Sequence, residues 1–327
     1  MTRALVTGGF GFLGTALVRR LLEEGQEVRV LDNAARGQPR RLADVAARLD
    51  LVVGDVRDLE VMRTACRGVD VIWHLAAVNG TENFYRQPQR VLDVGVRGML
   101  NVIDAAIAER VPELFFASSS EVYASAPRVP TDERVPLTVP DPLNPRFSYS
   151  GSKIISELLL INTAREQLRR AVIFRPHNVY GPDMGWEHVI PQLTVQLHRL
   201  APGGRSVRLP IQGNGQQTRS FVHIDDLVEG LMVLFRAGRH LEIYNVGTED
   251  EVTIGALARD IGAALGLEVE VVPGRQASGA TERRCPDITK IRALGYAPRV
   301  PLSTGLASTV RWYDAHADEA PPDSMKS

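Results

Sequence analysis

Cysteine is scarce. Cys66 and Cys285 are the only two in 327 residues, too few and too far apart for a disulfide framework or a zinc site. Reduced thiols and a cytoplasmic location are expected, with no bound metal. A charge excess is missing as well: 38 Lys and Arg face 39 Asp and Glu, a net charge of −1. That balance argues against the basic footprint of a nucleic-acid binder. No apolar run approaches the roughly 20 residues of a membrane span. The chain enters a strand pattern at once, so no signal peptide is expected. Internal repeats and low-complexity tracts are absent. What remains is an ordinary apolar fraction of 44%, in a chain long enough for one large domain or two modest ones.

The most informative stretch is Met1 to Gly14, M-T-R-A-L-V-T-G-G-F-G-F-L-G. A short apolar run, Ala4-Leu5-Val6, reads as a buried strand that breaks into glycines and then a helix. Gly8, Gly11 and Gly14 are spaced three apart. In that setting they serve a tight turn, close approach of a pyrophosphate, and close helix–strand packing. The helix start offers free N–H groups and a positive dipole end. Glycine turns without a ligand are common, so the next strand matters. Glu27 to Leu31 delivers Asp32 at its tip, about 20 residues beyond the glycines, where a carboxylate hydrogen-bonds the ribose hydroxyls of an adenosine. Its charge repels a 2′-phosphate, favouring NAD over NADP. Read alone, Asp32 is as well explained as a turn or cap residue.

Further strands are expected at Leu49–Gly54, Val69–Leu75 and Leu114–Ala117, with a helix at about Val91–Arg110. Strands alternating with helices predict an α/β fold, a doubly wound parallel sheet of Rossmann type with ligands at the carboxyl ends of its strands. His74, at one such end, reads better as a packed structural histidine than as a base. Arg36, Arg40 and Arg41 read as a solvated loop, with Arg36 able to touch the adenosine.

The fifth strand runs into Ser118-Ser119-Ser120-Glu121-Val122-Tyr123. After a proline-rich loop, Tyr149-Ser150-Gly151-Ser152-Lys153 opens a helix and puts Tyr149 and Lys153 on one face. A phenol with a pKa near 10 is a poor base at neutral pH, and a neighbouring ammonium stabilises its phenolate. Ser119 can bind the same substrate oxygen, completing a proton-relay and hydride-transfer site. Tyr-x-x-x-Lys alone is common by chance; the dinucleotide pattern upstream gives it meaning.

Taken together these motifs resemble the extended short-chain dehydrogenase/reductases, specifically the NAD-dependent nucleotide-sugar epimerase/dehydratase family. The match includes T-G-G-F-G-F-L-G, Asp32, Gly54-Asp55-Val56, His74-Leu75-Ala76-Ala77, S-S-S-E-V-Y and Tyr149 with Lys153. It continues through Arg175-Pro176-His177-Asn178-Val179-Tyr180-Gly181-Pro182, Arg219-Ser220-Phe221-Val222-His223, and Arg284 with Asp287 and Lys290. The resemblance implies an NAD site of Gly8, Gly11, Phe12, Leu13, Asp32, Asn33, Asp55, Val56, Leu75, Ala76, Ala77, Tyr149, Lys153 and Pro176. It implies Tyr149, Lys153, Ser119 and Glu121 as catalytic residues. Ser119, Ser120, Glu121, Asn178, Arg219 and Arg284 would bind a nucleotide-diphosphate sugar, the arginines gripping its diphosphate. Departures are Gly95-Val96-Arg97-Gly98-Met99-Leu100-Asn101, which keeps only Gly98 and Asn101 of a frequent Asn-x-x-Gly-Thr-x-Asn, Ser220 for a frequent Asp, and Ala124 for a frequent Gly.

The expected organisation is an NAD-binding domain of 1–176 plus about 220–248, a smaller, discontinuous C-terminal substrate-binding α/β domain of 177–219 and 249–314, and a disordered tail, 315–327. Pro182–His188 is expected to be a flexible segment over the sugar; Trp186, Glu187 and His188 read equally as ligand contacts or anchors. A homodimer through the helices near Val91–Arg110 and Tyr149–Leu168 is implied by the resemblance. A 4-epimerase acting through a 4-keto sugar is the leading reading. Glu121 opens others, a 4,6-dehydratase, a uronate decarboxylase or a 5-epimerase, although dehydratases usually carry an Asp where this chain has Ser120. A non-catalytic NAD-binding regulator is the remaining alternative.

Overall fold

The computed structural model describes residues 2–201, 203–275 and 281–321. At its centre lies a seven-stranded parallel sheet. Six of its strands come first: β1 Arg3–Thr7, β2 Glu27–Asp32, β3 Leu49–Val53, β4 Val71–His74, β5 Glu113–Ala117 and β6 Arg170–Pro176. Four strands outside the sheet follow, β7 Val179–Tyr180, β8 Ser206–Ile211, β9 Thr218–Ser220 and β10 Val222–His223, before β11, Glu242–Val246, rejoins the sheet. Its order is β11-β6-β5-β4-β1-β2-β3. Connections diverge between β1 and β4, opening a crevice at the carboxyl ends. β4 and β5 are buried at every position, as strands covered on both faces must be.

The helices are α1 Phe12–Glu23, α2 Leu59–Cys66, α3 Thr81–Arg86, α4 Pro88–Leu92, α5 Gly98–Ala108, α6 Ser148–Gln167, α7 Val189–Leu200, α8 Ile224–Ala237, α9 Ile254–Ala264, α10 Thr289–Arg292 and α11 Leu302–Ala315. α1 and α8 cover one face through Leu17, Leu21, Leu227 and Leu231. α2, α5 and α6 cover the other through Met62, Val102 and Leu160. A separate apolar cluster joins α7, α9 and α11 through Leu193, Leu257, Ile261 and Leu306. It packs under β8, which pairs in parallel with β13, Glu268–Pro273. The remaining strands, β12 Glu251–Thr253 and β14 Arg283–Arg284, flank β9. Among the described residues no helix is long and apolar enough to cross a membrane.

Three local expectations change. The helix expected over Val91–Arg110 is broken by a π-helical turn at Asp93–Arg97. Its cause is a close crossing with α6: a Cβ on Gly95 would lie 2.7 Å from the Ser152 side chain, and Ser156 donates a hydrogen bond to the Gly95 carbonyl at 3.1 Å. The stretch expected as a solvated loop holds a 3-10 helix, Pro39–Arg48, and Arg41 is nearly buried in a two-pronged ion pair with Asp183 at 2.8 and 2.9 Å. The chain beyond residue 315 is not all tail: Ala317–Glu319 form a 3-10 turn, and Ala317 and Ala320 are buried. Residues 322–327 lie outside the described residues.

Candidate active site

The glycine turn is built as a cradle. Gly8 has φ +74°, a region that favours glycine, and a Cβ there would stand 2.9 Å from the backbone nitrogen of Ala76 on the β4 loop. A Cβ on Gly14 would sit 2.1 Å from the Gly8 carbonyl oxygen. α1 begins at Phe12 with no side-chain cap, leaving its first N–H groups for an anion. At the β2 tip Asp32 is buried, its Oδ2 accepting from the Phe10 amide at 3.0 Å and its Oδ1 from Ala34 at 2.8 Å. Asn33 donates to Asp55 at 2.9 Å, and the Arg57 guanidinium holds the Asp55 carboxyl down at about 2. Gly98 and Asn101, kept from the family pattern, both brace Val56: Asn101 donates to its carbonyl at 3.0 Å. Side chains that would fill this cradle are absent, and its rim is acidic at the ribose end. It fits a dinucleotide.

Every NAD-site residue named from the sequence lines one cleft of about 600 Å³, as do Ser119, Ser120, Glu121, Asn178 and Arg284. Arg219 stands outside that lining. β9 pairs β14 in parallel and sets Arg219 opposite Arg284, so two arginines 65 positions apart become neighbours.

At the start of α6, Tyr149 is buried and stacks on Phe84 with ring centroids 4.9 Å apart. Burial pushes its phenol up to about 12, against a hydrogen bond from Ser119 that favours the phenolate. Lys153 lies one turn on, 5.7 Å from the Tyr149 ring centre, and donates to the Ala117 carbonyl at 2.7 Å. It makes no hydrogen bond to the phenol. Burial pushes Lys153 down to about 7, opposed by Glu157. Glu157 is itself buried in a fork with Arg175, at 2.9 and 2.6 Å. Phe84 and this buried pair escaped the sequence reading, because only the fold brings them behind Tyr149 and Lys153.

Elsewhere in the cleft lining, Glu121 Oε1 accepts from Arg284 Nη1 at 2.5 Å. Burial works to raise the Glu121 carboxyl, but the arginines around it, Arg284 foremost, hold it below its ordinary value. The Arg219 guanidinium donates to the carbonyls of Thr218 and Thr281 at 2.7 Å each. Burial and the nearby Arg284 charge bring it down to about 10. The Asn178 amide, expected at the diphosphate, donates to the Ser220 carbonyl at 2.9 Å.

The ambiguous residues sort themselves. His74 is buried, bonded to Thr7 at 2.8 Å, and pushed down to about 3 by burial, as a structural histidine is. The Pro182–His188 segment, expected to be flexible, is fastened: Asp183 by Arg41, and Gly185 by a 2.8 Å hydrogen bond from Tyr313. Trp186 packs edge-on to Tyr313 at 5.0 Å, and Glu187 pairs with Arg36 at 3.0 Å. Trp186, Glu187 and His188 all line the cleft.

Fold and cleft together define a Rossmann protein with a dinucleotide cradle and a Ser119–Tyr149–Lys153 group whose Tyr and Lys are buried. The sequence profile of the NAD dependent epimerase/dehydratase family matches residues 4–247, and the chain belongs to that family. The family is NAD-dependent. DesIV, a dTDP-glucose 4,6-dehydratase from Streptomyces venezuelae solved with NAD bound, is 34% identical, with a TM-score of 0.86 over 98% of this chain and 99% of its own. A UDP-glucose 4-epimerase from Thermotoga maritima, solved with UDP-glucose, is 28% identical with a TM-score of 0.85, over 96% of this chain and 99% of its own. A UDP-N-acetyl-alpha-D-glucosaminuronate decarboxylase from Bacillus cytotoxicus is 29% identical over 95% of this chain and 97% of its own.

Proposed function

We propose that the chain is a nucleotide-sugar 4-epimerase that oxidises C4, holds the 4-keto sugar while it turns, and reduces the opposite face. NAD, when bound, supplies a cationic ring that takes the C4 hydride and gives it back, so no external reductant is consumed. Tyr149 takes the proton of the 4-hydroxyl and later returns it, with Ser119 donating to the same oxygen. Lys153 binds the ribose beside Tyr149 and carries positive charge near the ring. Arg219, whose guanidinium meets only carbonyls, grips the diphosphate together with Arg284, and that remote binding energy retains the intermediate.

The observation that carries this reading is the Glu121–Arg284 ion pair. A base for the C5 proton is better for being free and of raised pKa, whereas this carboxylate is engaged and held low. Dehydration also calls for an acid at the 6-position, where Ser120 offers a hydroxyl. C4 epimerisation needs neither group.

A second reading has its own support. Arg284 places a cation that suits the C6 carboxylate of a uronate, and a 4-keto uronate is a β-keto acid that loses carbon dioxide without a C5 base. The likeness to a decarboxylase favours it. One experiment separates the readings: incubation with NAD and a panel of neutral and uronate nucleotide sugars, followed by mass and by proton NMR in deuterium oxide. Unchanged mass, an inverted C4 and no deuterium at C5 support the epimerase. Loss of carbon dioxide or water replaces it with a lyase, and C5 exchange at unchanged mass replaces it with a 5-epimerase. Full activity in Tyr149→Phe would sink every version of the mechanism.

A further inference from the structure

Three connections that are far apart in sequence meet over the dinucleotide cleft. Arg36 follows β2, Asn79 and Gly80 follow β4, and Glu187 precedes α7. The Arg36 guanidinium donates through Nη2 to Glu187 Oε2 at 3.0 Å and through Nη1 to the Asn79 carbonyl. Asn83 donates to that same carbonyl at 2.8 Å. The Glu187 carboxylate lies against the backbone at Gly80, where φ is +106° and a Cβ would stand 1.9 Å from Oε2. A side chain there has no room. Arg36, Asn79, Gly80 and Glu187 line the same cleft as Gly8, Gly11 and Asp32.

We propose that Arg36 and Glu187 form a clasp across the cleft that sets how fast the dinucleotide leaves. Both are positioning residues; neither belongs to the group that handles the reacting proton. The clasp ties the adenosine side of the cleft to a segment that is already anchored behind it, by Arg41 to Asp183 and by Tyr313 to Gly185. For the dinucleotide to depart, the Arg36–Glu187 contact must open while those anchors stay.

The chemistry gives such a clasp a purpose. In either reading under Proposed function the hydride leaves the sugar and returns to it from the same cofactor. Reduced cofactor lost in mid-cycle strands a keto sugar and leaves the protein with no hydride to return. Slow release therefore protects the turnover. The pair is partly exposed, with side-chain accessibilities of 41% and 30%, so its stability contribution is small. A small contribution is enough, because about 1 kcal/mol changes a dissociation rate roughly fivefold.

The test uses the full chain loaded with NADH, chased with excess NAD, with release followed by NADH fluorescence. Glu187→Gln and Arg36→Gln are each expected to speed release about fivefold. The charge-reversed pair Arg36→Glu with Glu187→Arg should bring the rate back to within twofold. Gly80→Ala, which displaces the carboxylate without removing either charge, should also speed release and covers the case in which a charge variant fails to fold. Thermal melting is read alongside. A lowered melting temperature with release unchanged from wild type makes the pair merely structural, and unchanged release in every folded variant overturns the proposal.

Discussion

Glu121 and Arg284, 163 positions apart, meet at 2.5 Å in the lining of the cleft. The pair takes away the freedom that a C5 base would need. Glu121→Gln keeps an acceptor for Arg284 and removes the charge. With C4 epimerisation as the reaction, kcat by NMR should fall by less than about tenfold; a C5 base in use would cost about 10²–10⁴. Because the carboxyl is held low, the pair is charged at all pH values above the ordinary carboxylate range. It is lost only as pH falls through the depressed value.

Lys153 should trade stability for function. Its folded value of about 7 lies below the ordinary 10.5, so between those values the folded state binds fewer protons than the unfolded one. The burial cost is absent well above pH 10.5, grows as pH falls, and is complete below about pH 7. Lys153→Met removes it, although the Ala117 carbonyl loses its partner. The melting temperature of the variant relative to wild type should therefore rise as pH is lowered from 10 to 7, while activity is lost. A difference that is flat with pH refutes the assignment.

Behind Lys153, Glu157 and Arg175 have side chains only 3% and 2% exposed. Removing one partner leaves a buried charge without compensation. Glu157→Gln should cost about 3–5 kcal/mol in urea unfolding, and Glu157→Leu with Arg175→Met together should cost less.

Leu92 and Leu100 on α4 and α5, and Ile155 and Leu158 on α6, are 39–57% exposed. A second copy covering them through paired helices is expected. Leu100→Glu with Leu158→Glu should shift the sedimenting species from dimer to monomer at micromolar concentration. A wild-type chain that sediments as a monomer would dispose of the idea.

What the sequence revealed and what it hid follow from range. The glycine turn, Asp32 and the Tyr149–Lys153 face are set by residues a few positions apart, within one turn or one strand tip, and their spacing carries the chemistry. Strand β2, read as Glu27–Leu31 and found as Glu27–Asp32, was legible to within one residue because its apolar run is short and bounded. Arg41 was misread as solvated because Asp183, its partner, is 142 positions away. The π turn depends on where Ser152 and Ser156 of α6 cross Gly95, which no local pattern records. The same holds for Glu187: its identity as a carboxylate was plain, but only the fold reveals that Arg36 and a bare backbone at Gly80 receive it.

The fastening of the 183–188 segment has an optical consequence. The chain has three tryptophans. Trp73 is sealed inside the sheet core, whereas Trp186 lines the cleft and lies 6.0 Å from Trp312. Ultraviolet emission from this native pair falls where a reduced nicotinamide absorbs. The protein therefore carries its own donor for energy transfer, and filling and emptying of the cleft by the reduced cofactor can be watched without a label.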